Sequence, residues 1–412
     1  MNTYVIYFFL PLLLLLACPE NEEIIPPSPP EESIVGSNEV FFANDNQLVW
    51  ARHYFLSPNF NPNSPMEEVA TITFAGAPPI LSTPYIFDGG NNTFYADLVL
   101  TVANADGRLY LFKVDNQTQL WNTYLNGELR HSPVYKKFGG RSLFIGNSTG
   151  SFYRVAVEDG SIEWTYDNPT GSPFEAPELY DSNRVLATAS DGWVYLLNTD
   201  DGQVNWSYNT EQFIQSKPLV LNNTIDDIPS VIVAGQDGKI SRIHGESGTE
   251  VWSLQLPDAI RSSPVSEVGT NVFEEATKVY VATLNRNFYE IDLVTGTVNW
   301  STSTDDSIYS TPYIDRETAA IYFIDRSGKL YCYDLTIPNS LRWSGQVPEQ
   351  VSVYGSPVVH DVKEGTVCYV NTPIGLFAFD VEDGSLKKQF LFGEGSSDDG
   401  GGFVPNNQSS MS

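Results

Sequence analysis

The stretch Asp191-Gly192-Trp193-Val194-Tyr195-Leu196-Leu197-Asn198-Thr199-Asp200-Asp201-Gly202-Gln203-Val204-Asn205-Trp206 decides the fold. It is a strand with alternating apolar positions, a tight turn containing glycine, and a second strand ending on a large aromatic, which makes one β-hairpin. Trp206 lies four residues after Gly202, and the same offset joins Gly160 to Trp164, Gly248 to Trp252 and Gly296 to Trp300. Trp121 and Trp343 keep the offset with Gln117 and Asn339 in the turn, and in the last copy Gly384 is followed by Lys388. The tryptophans at 121, 164, 206, 252, 300 and 343 step by 43, 42, 46, 48 and 43 residues, and a period of that length marks a repeat array.

Working outward, each unit opens on a proline: Pro84, Pro133, Pro177, Pro218, Pro264, Pro312 and Pro357, most of them after Ser or Thr. Proline is tolerated at the first residue of a strand because its missing N–H is not needed in the ladder. Four strands follow in each unit: the Pro-led one, a Val-Tyr-Val type, a Gly-x-Leu-Tyr type and the Trp-ended one. Four strands per 42 to 48 residues with no helical periodicity predict an all-β chain, a β-propeller of seven to eight four-stranded blades. Eight is favoured, because a further hairpin, Glu39 to Trp50, stands ahead of the seven full units. The 34 residues from Trp50 to Pro84 then contain an insertion with a strand over Val69 to Phe74. The last blade is expected to be closed by N-terminal strands with some C-terminal help, since closure removes exposed sheet edges. The propeller is placed at 38–395 and a flexible Gly/Ser/Asp/Asn-rich tail at 396–412.

Composition narrows the function. The chain has 22 Lys+Arg against 51 Asp+Glu, a formal charge of -29, which argues against nucleic acid as a partner. Residues Thr3 to Ala17 form an apolar run broken by Pro11 and ending Leu15-Leu16-Ala17-Cys18, too short for a membrane span and suited to a signal peptide over 1–18. Those last four residues resemble the lipobox of bacterial lipoproteins, in which the cysteine carries the lipid. An uncleaved anchor and a plain secretory signal are the alternatives. Residues 19–37, rich in Pro and Glu, read as an extended tether. The expectation is an extracytoplasmic protein, lipid-anchored at Cys18 to the bacterial outer membrane and touching the membrane through that anchor alone.

Metal and nucleophile chemistry find little support. Cys332 and Cys368 sit on strands of successive units and read as separate buried residues, with a disulfide as the alternative. The four histidines, His53, His131, His244 and His360, show no ligand spacing, and neither a phosphate loop nor a nucleophile elbow is present. The Asp-Gly pairs, such as Asp159-Gly160 and Asp237-Gly238, are turn chemistry rather than Ca²⁺ loops. No cofactor or metal is expected.

The pattern Asp-Gly-x-Val/Leu-Tyr-x-Leu-Asn/Asp-x-x-Asp/Thr-Gly-x-x-x-Trp resembles the PQQ-like repeat, which is shared by quinoprotein dehydrogenases and by outer-membrane assembly lipoproteins of the BamB type. It covers about Asn38 to Phe392. The resemblance implies that Trp50, Trp121, Trp164, Trp206, Trp252, Trp300 and Trp343 are structural residues packed between blades. It also implies one of two roles. A quinoprotein dehydrogenase would use adjacent cysteines and metal-binding carboxylates, and this chain lacks the adjacent cysteines. The favoured role is a non-catalytic protein-docking scaffold with an envelope protein partner, in outer-membrane protein assembly; the enzyme and a surface lipoprotein holding a glycan or small polar ligand are the alternatives. Residues just before each Pro-led strand should lie near one mouth of the central channel. Arg130, His131, Lys217, Arg261, Tyr309 and Tyr354 are therefore the candidate contacts for a partner or an anionic or polar ligand.

Overall fold

The repeat's second and third strands read as nearly continuous apolar runs, which suits sheets covered on both faces. The computed structural model has this arrangement. It describes residues 37–44, 47–54, 67–73, 80, 85–88, 98–113, 118–267, 275–348, 351–362 and 365–391. The leader with Cys18, the tether before Ser37 and the tail beyond Leu391 lie outside the described residues.

Among the described residues, eight antiparallel sheets follow one another along the chain, at 37–73, 85–124, 134–167, 178–209, 219–255, 278–303, 313–346 and 358–391. Each is a simple meander. Among the described residues the first and sixth sheets have three strands and the others four. In the sixth, the Pro-led strand is reduced to a single bridge between Val265 and Tyr280. Pro-led strands of neighbouring sheets approach one another, so they form the inner edge of a β-propeller, and the Trp-ended strands form the outer edge.

The core lies in the layers between successive sheets. One layer joins Val99, Leu109 and Leu111 of the second sheet to Tyr135, Leu143 and Ile145 of the third. Another joins Leu186, Val194 and Leu196 of the fourth to Val231, Val233 and Ile243 of the fifth. Strands such as Trp193–Asn198 and Lys239–His244 are buried at four successive positions because each face meets a different neighbour.

Two devices tie the sheets together. At the outer edge, the indole Nε1 of each of five tryptophans donates to a carbonyl in the next sheet's turn: Trp121 to Val157 (2.8 Å), Trp164 to Thr199 (2.9 Å), Trp206 to Gly245 (2.8 Å), Trp252 to Leu293 (2.8 Å) and Trp343 to Val381 (2.7 Å). The same turns bring a glycine onto the ring. A Cβ on Gly202, Gly248, Gly296 or Gly384 would lie 3.0, 2.8, 2.7 or 2.4 Å from the indole. At the inner edge, the residue before three of the prolines passes a hydrogen bond to the next sheet: Lys217 N–H to Ser263 Oγ (3.0 Å), Ser263 N–H to Thr311 Oγ1 (3.1 Å) and Thr311 N–H to Ser356 Oγ (2.9 Å). This gives the Ser/Thr-Pro pairs a physical purpose.

The N-terminal sheet corrects one expectation. In every sheet the pairing of the last two strands carries a bulge just beyond the tryptophan position, as where Leu196 faces Trp206 and Leu197 faces Val204. In the first sheet that bulge lies where Trp50 faces Ala70 and Ala51 faces Glu68. The outer strand is therefore Glu67–Thr73, and Ala70 holds the register position of the blade tryptophan. Trp50 is on the middle strand, Gln47–Tyr54, and is not one of the outer-edge series. The offset of four residues from Asn46 misled because the loop there joins the two strands before the outer one.

Cys332 and Cys368 are free and buried in one hydrophobic cluster between the seventh and eighth sheets. Burial pushes the Cys332 thiol up to about 11 and the Cys368 thiol well above its usual range.

Candidate functional site

The segments entering the inner strands are built alike. Four residues before the proline, a buried aliphatic, Leu129, Ile214, Ile260, Ile308 or Val353, anchors the loop. The following residue, Arg130, Gln215, Arg261, Tyr309 or Tyr354, is half-buried or, for Arg261, exposed. Loops joining the second and third strands share this face, as shown by bonds such as Leu284 N–H to Ala259 O (2.9 Å) and Arg326 N–H to Ser307 O (2.8 Å).

The sequence-predicted cations divide into two kinds. Arg130 is paired with Glu128 at 2.8 Å, and Lys217 with Glu178, so both neutralise acids of this chain. His131 Nε2 meets Glu175 Oε2 at 2.7 Å. Burial of Glu175 raises its pKa, but His131 and Ser190 bonded to the carboxylate, with Arg130 nearby, outweigh this and hold it below the usual range. The carboxylate lies between the Ser190 hydroxyl and the imidazole, so the hydroxyl has no imidazole base, and the trio is not a nucleophilic triad.

Arg261 differs. Its side chain is exposed, and it has no carboxylate partner among the described residues. Its guanidinium lies 5.6 Å from the centre of the Tyr309 ring, which meets Tyr354 edge-on at 5.1 Å. Of the six candidates, the structure brings these three together. Beside them, Arg326 is paired with Asp306 at 3.3 Å; Asp306 first, then the Tyr354 and Tyr309 phenols, raise its pKa.

Arg286 was missed by sequence reasoning. It occupies the left-handed turn position between the second and third strands of the sixth sheet, at φ 71°. Five equivalent turns place Gly107, Gly150, Gly192, Gly238 and Gly328 there, at φ 83° to 91°. Aligning the turns by register would have exposed the exception.

The geometry sets one guanidinium without a described carboxylate partner, that of Arg261, beside two phenol rings. Among the described residues, no group of three or more His, Cys, Asp or Glu side chains is placed to hold a metal ion.

Comparisons with known proteins bear on the fold and family. The family model described as "Outer membrane protein assembly factor BamB" matches residues 105–336 and 173–390. The crystal structure of BamB from Moraxella catarrhalis superposes with a TM-score of 0.55 at 15% identity, covering 71% of this chain and 85% of that one. A europium-containing methanol dehydrogenase superposes with a TM-score of 0.62 at 10% identity, covering 81% of this chain and 80% of that one. A curated relative, the beta-alanine-activating enzyme of Danio rerio, is 28% identical over 102 residues, 24% of this chain and only 9% of that enzyme's length.

Proposed function

The chain belongs to the PQQ-like repeat family typified by outer membrane protein assembly factor BamB, and from that premise we propose that it is a non-catalytic, lipid-anchored docking scaffold of the bacterial envelope, serving outer-membrane protein assembly. The observation that carries this reading is the family match itself, which runs through residues 105–390. A propeller presents many loops on a rigid frame, which suits protein interaction. The superposition on a methanol dehydrogenase concerns the frame alone; the chain has no adjacent cysteines, and among the described residues no group of three or more His, Cys, Asp or Glu is placed to hold a metal ion for that chemistry.

The lipid anchor is assigned to Cys18 on the lipobox-like Leu15-Leu16-Ala17-Cys18. Metabolic labelling with a palmitate analogue is expected to mark the native chain and to miss Cys18→Ala, which should leave the membrane fraction. The scaffold role is tested by crosslinking the native protein in its own envelope. Recovery of a β-barrel assembly protein supports it; recovery of no envelope protein overturns it.

A further inference from the structure

Resting on that scaffold role, we propose that Arg261 and Arg286, with the Tyr309–Tyr354 pair, form a recognition site for a short carboxylate-bearing peptide segment of the partner protein that also carries aromatic side chains. The argument starts from charge. In a chain of net charge -29, most described Lys and Arg side chains are tied to an acid of the same chain. Arg130, Arg141, Arg184, Arg242, Arg326 and Arg342 all have such partners. Arg261 and Arg286 are exposed and, among the described residues, have none.

They also belong together. Arg261 follows Ala259 and Arg286 follows Leu284, each by two residues, and Leu284 N–H is bonded to Ala259 O at 2.9 Å. Both loops therefore meet on the channel-mouth face of the sixth sheet. The nearby Asp258 is turned to its own backbone, accepting from Ala259 N–H at 2.8 Å.

Strain supplies an independent observation. A non-glycine residue at φ 71° is disfavoured, and the equivalent turns avoid the cost with glycine. A side chain kept in a costly backbone state, with no side-chain hydrogen bond or ion pair among the described residues to hold it there, points to a use outside the chain. Two guanidinium groups favour a carboxylate, which they bind through paired N–H donors. Tyr309 and Tyr354 beside Arg261 add ring faces and edges for an aromatic neighbour of that carboxylate. A short segment fits better than a broadly acidic surface. Beyond a Debye length of about 8 Å the remaining negative charge of the protein is screened, whereas a wide acidic face would meet it directly.

The test is titration calorimetry on the full-length chain with acetyl-Glu-Phe-Glu-Phe-Glu-amide, its Gln-for-Glu counterpart, and trigalacturonic acid. We expect the acidic peptide to bind, the Gln peptide to bind at least tenfold more weakly, and R261A/R286A to lose at least tenfold for the acidic peptide. R286G is expected to weaken binding while melting no lower than the native chain, since it relieves the strained turn. Equal binding of the two peptides, or unchanged binding by the double variant, overturns the proposal. So does a lower melting temperature for R286G, which would give Arg286 a structural purpose. Tighter binding of trigalacturonic acid than of the acidic peptide would reassign the site to an acidic glycan. In envelope crosslinking, partner recovery undiminished in R261A/R286A sinks this inference and leaves the scaffold standing. Peptide binding without any recovered partner does the reverse.

Discussion

At Gly248 one hydrogen atom decides whether two sheets can meet. Its φ of 70° is left-handed, and an added Cβ would meet the Trp206 ring at 2.8 Å. Gly171 has a similar φ of 73° with nothing within 4 Å of its Cβ position. Gly171→Ala should therefore cost only the conformational strain, about 1 kcal/mol, and Gly248→Ala about 2–4 kcal/mol, since a packed ring must also move. Denaturant unfolding of both variants checks the difference, and equal costs would refute the steric account. Arg242 is the other revealing residue. It is wholly buried, with Nη1 and Nη2 on the Asp226 carboxylate at 2.8 and 2.7 Å, Nε on Ser230 Oγ at 2.8 Å, and Nη1 also on Leu293 O at 2.9 Å. Asp226→Asn leaves that cation without its counter-charge, and a loss of about 3–5 kcal/mol is expected, again read from the denaturant midpoint.

At the scale of the element, the Trp-ended strand shows how much of the fold is legible in sequence. The offset from turn to tryptophan announced it in six sheets, because the offset is the physical reach from a hairpin turn to the position facing the next sheet. The first sheet escaped because Ala70 leaves no aromatic mark, and only the paired register identifies its outer strand. The channel mouth was legible in part. The proline starts located Arg261, Tyr309 and Tyr354, and Glu128 stands two residues before its partner Arg130, but the pairing of Lys217 depends on Glu178 of the preceding sheet, whose nearness no spacing encodes. One joint departs from the pattern. Next to Trp300 the following turn carries Asn339 in place of glycine, and the buried Trp300 Nε1 has no hydrogen-bond partner. Instead the indole stacks on Tyr333 at 5.8 Å. Trp252→Phe should then cost about 1–2 kcal/mol more than Trp300→Phe, because only the former abandons a bonded carbonyl. Thermal melts of the pair decide it.

For the whole molecule, acid is the informative perturbant. Glu175, Asp226 and Glu246 all have lowered pKa values. Burial opposes the effect in Glu175 but is outweighed by its bonds; in Asp226 and Glu246 the bonds to Arg242 and Arg184 are the main cause. A carboxyl depressed in the folded state stabilises the protein above its unfolded pKa, about 4, and that contribution is lost as pH falls through the lower folded value. Relief of the -29 repulsion acts in the opposite direction over the same range. The comparison with Glu175→Gln isolates the specific effect. The native chain should lose more stability than the variant between pH 5 and about pH 2, and parallel curves would refute the assignment. Thiol reagents give a second whole-molecule readout: with both thiols buried and their pKa values raised, neither Cys332 nor Cys368 should react at pH 8 until the protein unfolds.

The tryptophan contacts all run one way. Each described indole bond reaches forward, from one sheet to a turn 35 to 41 residues later in the chain, and none reaches back. The array has the directionality of overlapping roof tiles, and its two ends, like the Trp300 joint, lack the nail: Ala70 stands at the tryptophan position in the first sheet and Lys388 in the last. Under mechanical load this predicts sequential peeling. A chain pulled from its termini should release its end sheets at low force and then yield in discrete steps of about one repeat each, with the Trp300 joint among the weakest of those between.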